Sequence, residues 1–233
     1  MYLEEYAVNH SIGRFVLGSS VFVSIAASGL MTILARRFAI PKVLSRLAGD
    51  SYSDTKLSSL FSRLCEKMGI ANVELRQAKI GNAFSISIRG RRLVAVSPFL
   101  VGSLSPEEAE GVLAHELSHL RGHDSLVKGL ARFARFAFPF DPVIRVVEAA
   151  VHRESEFLAD ISAARSTQRP LALASALIKA HSTSVSATQR IGAGLFVGGT
   201  SRGWLSLYPK LERRIDLLLK LADAMKIVQE IPA

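Results

Sequence analysis

Five residues, His115-Glu116-Leu117-Ser118-His119, restrict this chain more than any other stretch. On an α-helix, positions i and i+4 share a face, so both imidazoles can hold one Zn²⁺ at about 2.0–2.1 Å. Glu116 projects beside them, in reach of a proton on an attacking water. With six histidines in 233 residues, chance supplies on the order of 0.01 such matches. The context is right as well. Ser105-Pro106-Glu107-Glu108 predicts a helix start, with a Ser cap, Pro at the first position and Glu108 closing a capping box. Two histidines do not complete a zinc site, so the fold must supply a third ligand.

Several residues compete for that place. A third histidine ten residues after the first, the metzincin pattern, would fall at Ser125. His123 lies four residues past His119, but a straight helix turns it about 80° away from His115. The segment His152–Asp160 offers more. Glu156 and Asp160 share a face, so one can bind metal while the other orients a ligating imidazole. His152 lies on that face one turn earlier, and spacing alone does not remove it. Glu154 points about 200° away from Glu156, toward solvent.

The remainder reads as helices with a small sheet. Residues 53–68 form an amphipathic helix capped by Ser53 or Asp54, with Leu57, Leu60, Phe61, Leu64, Cys65 and Met68 on one stripe and Gly69 at its end. Cys65 is a small core residue there, and a single cysteine excludes a disulfide framework. Phe84, Ile86 and Ile88 alternate with Ser85, Ser87 and Arg89; Gly90 then breaks the run before Leu93–Val96, which predicts a hairpin or two neighbouring strands. Residues 180–206, rich in Ser, Thr and Gly, read as a loop or cap. In residues 126–140, Leu126, Leu130, Phe133, Ala137 and Phe140 form a stripe opposite Lys128, Arg132 and Arg135. Periodicity leaves open whether that stripe meets a membrane or the core.

Composition locates the chain. Hydrophobic residues make up 49% and charged residues 21%, which excludes a disordered chain. From Phe15 to Ala35 no residue is charged, and about 20 apolar residues suffice to cross a bilayer. The tail before it carries Glu4, Glu5 and Arg14, unlike a secretory signal. After it come Arg36, Arg37, Lys42 and Arg46, which predicts a cytoplasmic C-terminal side. Net charge is +9 overall, and the excess lies wholly beyond residue 35. It suits an anionic leaflet, while no nucleic-acid-binding motif accompanies it. The expected organisation is a tail (1–14), a transmembrane helix (15–35), a linker (36–52) and a catalytic domain (53–233).

These motifs, in order, resemble the HtpX-like membrane zinc metalloproteases, the peptidase family that includes the CAAX prenyl proteases. Gly81-Asn82-Ala83-Phe84 is similar to the family's Asn-Ala-Phe strand and Val112–His119 to its zinc helix, with Asp124 at the usual distance. Arg153-x-x-Glu156-x-x-Ala159-Asp160 is similar to its second metal helix, and Pro209-x-x-x-x-Arg214-Ile215 to a C-terminal motif. The resemblance covers roughly residues 55–220. It implies an α+β, mainly helical, zincin-like (gluzincin-like) domain with a small β-sheet, preceded by one N-terminal transmembrane helix. It implies one Zn²⁺ per chain on His115, His119 and Glu156, with Asp160 as the partner behind the ligands and Glu116 as the base.

The same resemblance places Arg214 near the site as an electrostatic support. The residue before Pro209 is often His in the family and is Tyr208 here; a tyrosine hydroxyl can donate to a developing oxyanion. Asn82, Ala83 and Phe84 open a strand that could receive an extended substrate by strand addition. The implied activity is peptide hydrolysis on unfolded or membrane-proximal polypeptides, in membrane-protein quality control. The implied location is the cell membrane, single-pass, with a cytoplasmic catalytic domain in contact with the lipid bilayer and no nucleic-acid partner.

Two other functions fit the same motifs. A sensor-type zinc protease of the antibiotic-response kind shares the zinc helix followed by Asp124; it would need a sensor domain, for which 14 residues before the span leave no room. A silent membrane-bound zinc-binding adaptor would need no general base, yet Glu116 is intact.

Overall fold

The computed structural model describes residues 19, 22–24, 26–30, 48–79, 82–88, 91–121, 124–138, 140–191 and 209–230. The chain divides into two units, 1–47 and 48–233. In the first, the described residues are helical. Among the described residues no helix is long and apolar enough to cross a membrane. Much of the Phe15–Ala35 stretch, with Gly81, His123, residues 192–206 and Tyr208, lies outside them. Of the stretch 180–206 read as a loop or cap, residues 180–191 are instead helical, continuing the helix that starts at Pro170.

The second unit runs β1 (Ala48–Ser51), α1 (Thr55–Met68), β2 (Val73–Ala78), β3 (Ala83–Ile88), β4 (Arg91–Val96) and α2 (Pro98–Ser103). It continues with α3 (Pro106–Arg121), α4 (Asp124–Ala137), α5 (Pro142–Thr167), α6 (Pro170–Ile191) and α7 (Leu211–Glu230). This is the mainly helical fold with a small sheet. The sheet order is β1-β2-β4-β3. β3 and β4 form an antiparallel hairpin pairing Ala83 with Val96 and Ile88 with Arg91, while β2 and β4 are parallel. β1 falls within the stretch read as linker. Its sequence, Ala-Gly-Asp-Ser, has neither alternation nor β-branching, and only its pairing with β2 makes it a strand.

Local signals set the ends of α1. Asp54 accepts from the backbone N–H of Lys56 at 2.8 Å and of Leu57 at 3.4 Å, and Gly69 closes the helix with a left-handed φ of 66°. Its apolar stripe enters a core with Val94 and Val96 of β4, Leu113 and Leu117 of α3, Leu173 of α6 and Leu218 of α7. Each fully buried side chain of this size is worth roughly 1.5–3 kcal/mol. Cys65 packs at the edge of that core, where burial and then Glu66 push its thiol pKa up.

The helix bearing the motif is the hub. α3 packs against α1, α5, α6 and β3, and it is buried around most of its circumference. Its start is the expected capping box: Ser105 N–H donates to Glu108 Oε2 at 2.7 Å, and Glu108 N–H donates to Ser105 Oγ at 3.3 Å. Glu108 does more than cap. Ser175 Oγ donates to its Oε1 at 2.6 Å and Lys179 Nζ to its Oε2 at 2.7 Å, tying α3 to α6. At Gly111 the two helices close up, and a Cβ there would sit 3.2 Å from Leu173 Cα. α5 packs on another side of α3, its Ala163 and Ala164 joining the core cluster that holds Leu113, Ala114 and Leu117 of α3.

α4 resolves the open reading of its stripe. Ala131 is buried, with Lys128, Ala134 and Arg135 half-buried beside it. Leu130, Phe133, Ala137 and Phe140 are exposed, so the described part of the stripe is not core in this unit.

Glu108→Ala should lower the stability of the folded chain by about 2 kcal/mol, since it loses a cap and two side-chain partners on α6. Thermal melts should show this loss, and the exposed neighbour Glu107→Ala should shift the melt far less. Equal shifts would remove Glu108 as the tether.

Candidate metal centre

α3 carries His115 and His119 on its α5-facing side, their rings edge to face with centroids 4.9 Å apart. α5 brings Glu156 between them. Its Oε2 lies 3.5 Å from His115 Nε2 and its Oε1 3.5 Å from His119 Nε2. One ligand atom from each residue can be chosen so that all three lie within 4.8 Å of one another. A tetrahedral zinc with ligands at 2.0–2.1 Å spaces them about 3.4 Å apart, so this donor set fits that ion.

Behind the trio stands Asp160, fully buried at 0% exposure. Its Oδ1 lies 3.0 Å from His115 Nδ1, a close contact off the line of the ring N–H. This leaves His115 Nε2 facing Glu156. A carboxylate behind a ligating imidazole is the usual way its ring and tautomer are fixed. Arg214 of α7 grips Asp160 in a two-pronged bond, Nε to Oδ2 and Nη2 to Oδ1, each at 2.7 Å. Its Nη1 also lies 3.4 Å from Glu156 Oε2.

The electrostatics follow from this set. Two buried carboxylates face one guanidinium, and the excess negative charge draws in one more positive charge, either a proton on His115 or a cation in its place. For His115, burial opposes the charged ring, but the contacts with Asp160 and Glu156 win and lift its pKa to about 9. For Glu156, burial acts upward, yet His115, His119 and Arg214 hold it well below the usual carboxylate range. Asp160 is lowered too, its burial outweighed by the two bonds from Arg214 and the close contact with His115. Arg214 is raised: burial favours its neutral form, and Asp160 overrides that.

The other sequence candidates fall as follows. Glu116 is half-buried on α3, and its charge acts on Arg214. His152 is buried on α5 but stands outside the trio; burial first, then Lys128 and Arg132, depress its pKa. Glu154 is exposed. Asn82 precedes β3, where its Oδ1 accepts from Ala83 N–H at 3.0 Å. Ala83 packs toward the main core and Phe84 toward the opposite sheet face with Ala95. Tyr208 lies outside the described residues. The Asp160–Arg214 fork had no sequence signal of its own, because 54 residues separate its ends.

A family profile, BlaR1 peptidase M56, matches residues 15–202. The chain belongs to this family. It is also similar to the HtpX protease homologue of Pyrococcus abyssi, 29% identical over 74% of this chain and 75% of that one. The homologue of Aquifex aeolicus is 26% identical, over 92% and 89%. The crystal structure of S. mikatae Ste24p superposes with a TM-score of 0.57 at 16% identity, covering 83% of this chain. This chain spans 57% of that structure, and the likeness is one of fold. The HtpX resemblance read from the motifs is therefore found. The chain is a member of a peptidase family with a His–His–Glu cluster of metalloprotease type.

Glu156→Ala should reduce zinc occupancy far more than His152→Ala, measured by metal analysis after dialysis. The reverse order would move the third ligand to His152. Arg214→Gln should weaken zinc affinity about 10–100-fold, as loss of a partner behind the ligands does. A chelator-competition titration reads this directly.

Proposed function

We propose that this chain is a membrane-anchored zinc metalloendopeptidase that hydrolyses peptide bonds in unfolded or membrane-proximal polypeptides, in membrane-protein quality control. The observation that carries this reading is the convergence of His115, His119 and Glu156, with Glu116 on the same helix. Those three side chains would hold one Zn²⁺. Bound there, zinc supplies Lewis acidity toward the scissile carbonyl and makes water a competent nucleophile near neutral pH. Glu116 accepts the proton of the attacking water and delivers it to the leaving amine nitrogen. Asp160 holds the His115 ring in orientation, and Arg214 holds Asp160. With Nε and Nη2 both committed to Asp160, Arg214 acts as a positioning residue. The Tyr208 hydroxyl is then the remaining candidate donor to the developing oxyanion.

The substrate strand has support in the sheet. β3 pairs with β4 on one side only, and among the described residues no strand pairs with its other edge. α3 packs beside β3. An extended peptide added along Asn82–Ile88 would be held by main-chain hydrogen bonds, giving broad specificity near the metal ligands. The anchor is residues 15–35, and the basic segment after it favours a cytoplasmic catalytic domain.

The M56 match favours a second reading, a regulatory protease of the antibiotic-response type. Such an enzyme would not constitutively cleave an unfolded chain. The deciding experiment compares wild type with Glu116→Gln on a casein-like substrate, with zinc measured in both. Zinc should be retained and hydrolysis should fall about 10²–10⁴-fold. Retained activity in a contaminant-free preparation would remove Glu116 as the base. A zinc-loaded wild type inert toward casein would favour the regulatory reading or a silent adaptor.

A further inference from the structure

α4 is turned inside out for a helix at the surface of a water-soluble domain. It packs on α5, and its least exposed described residues are Lys128, Ala131, Ala134 and Arg135, while its described large apolar residues are exposed. Leu130 is 64% exposed, Phe133 59%, Phe136 71%, Phe138 59% and Phe140 94%. The apolar surface continues onto the first turns of α5 at Val143 and Val147. At roughly 200 Å² per ring, the four phenylalanines leave on the order of 500 Å² in the open, at the upper end of what a monomer's largest patch shows.

Charge and length indicate what covers it. Residues 124–147 contain four cations, Lys128, Arg132, Arg135 and Arg145, against Asp124 and Asp141. Arg132 and Arg145 are exposed beside the phenylalanines. Phenylalanine and leucine flanked by arginine and lysine are the composition of a helix lying in a lipid headgroup region. At 14 residues α4 is about 21 Å long, short of the ~30 Å hydrocarbon core, so it cannot span.

We propose that the α4–α5 hairpin is a membrane-docking element whose exposed phenylalanines enter the interface of an anionic lipid bilayer. The hairpin leaves the end of α3, just past His119, and returns along the helix that carries Glu156. The nine residues from Val147 to Glu156 rise about 14 Å along α5. Docking therefore holds the metal ligands close to the bilayer surface and favours chain segments emerging from it. That consequence for substrates rests on the protease reading; the docking does not.

The test uses the full chain in vesicles of phosphatidylcholine with phosphatidylglycerol, with Cys65→Ser as background. Phe133→Cys, Phe138→Cys and Phe140→Cys each carry a small fluorophore, with Ser62→Cys and Lys220→Cys as exposed controls on α1 and α7. Doxyl-labelled lipid should quench the three hairpin sites at least threefold more than the controls, and iodide in the buffer should quench them less. Hairpin labels that behave like the controls would overturn the proposal in favour of a water-facing stripe. Labels shielded from both quenchers would overturn it in favour of a protein cover, by a second copy or residues 15–35. Phe136→Cys replaces any variant whose thermal melt shows misfolding. Casein cleavage by the same labelled proteins keeps the two readings apart, since inactive protein with lipid-quenched labels sinks only the protease.

Discussion

The buried carboxylate of Asp160 is the interaction on which the site depends. A lone carboxylate with no solvent exposure would be prohibitively costly, and removing one member of such a buried pair leaves the other uncompensated. Arg214 offsets that cost with two parallel charge-assisted bonds, and His115 takes up the remaining direction. Three helices are thereby locked together: α3 through His115, α5 through Asp160 itself, and α7 through Arg214. α7 contributes none of the candidate trio, yet it holds the carboxylate that lies against His115, one of its members.

Packing supplies the second constraint. α3 must be buried on several sides at once, because His115 and His119 face α5 while other sides close the core against α1 and α6. Glycine at 111 lets α6 approach, and alanines along α5 let that helix come close enough for Glu156 to bridge two imidazoles. Larger side chains at these crossings would push the second metal helix outward. The tether from Glu108 to Ser175 and Lys179 then holds α3 at its far end. Capping and tertiary packing share one carboxylate there.

Much of this was legible in the residues, for reasons that are local. The His-Glu-x-x-His spacing brings two imidazoles together because helical geometry alone puts them on one face. The α1 stripe with Asp54 and Gly69, the Ser105–Glu108 box and the β3–β4 alternation all follow from short-range rules. β1 was not legible, because four small or polar residues become a strand only through β2. The orientation of α4 was not legible either: periodicity shows that a helix has two faces and is silent on which one meets its neighbour. Small alanines at 131 and 134 decided it, since they allow α5 to approach where phenylalanines would hold it off.

The sequence by itself determined the candidate groups: two imidazoles and a carboxylate on one helix, a second acidic helix, and a family resemblance carried by their order. It could not choose among His152, Glu156 and Asp160 from spacing, because all three share a face of α5. Tertiary structure separated them by depth and direction, putting Glu156 between the imidazoles, Asp160 behind His115 and His152 outside the trio. It also joined Arg214 to Asp160 across 54 residues. Contacts set by helix periodicity can be read along the chain, whereas contacts between helices depend on how closely their surfaces approach.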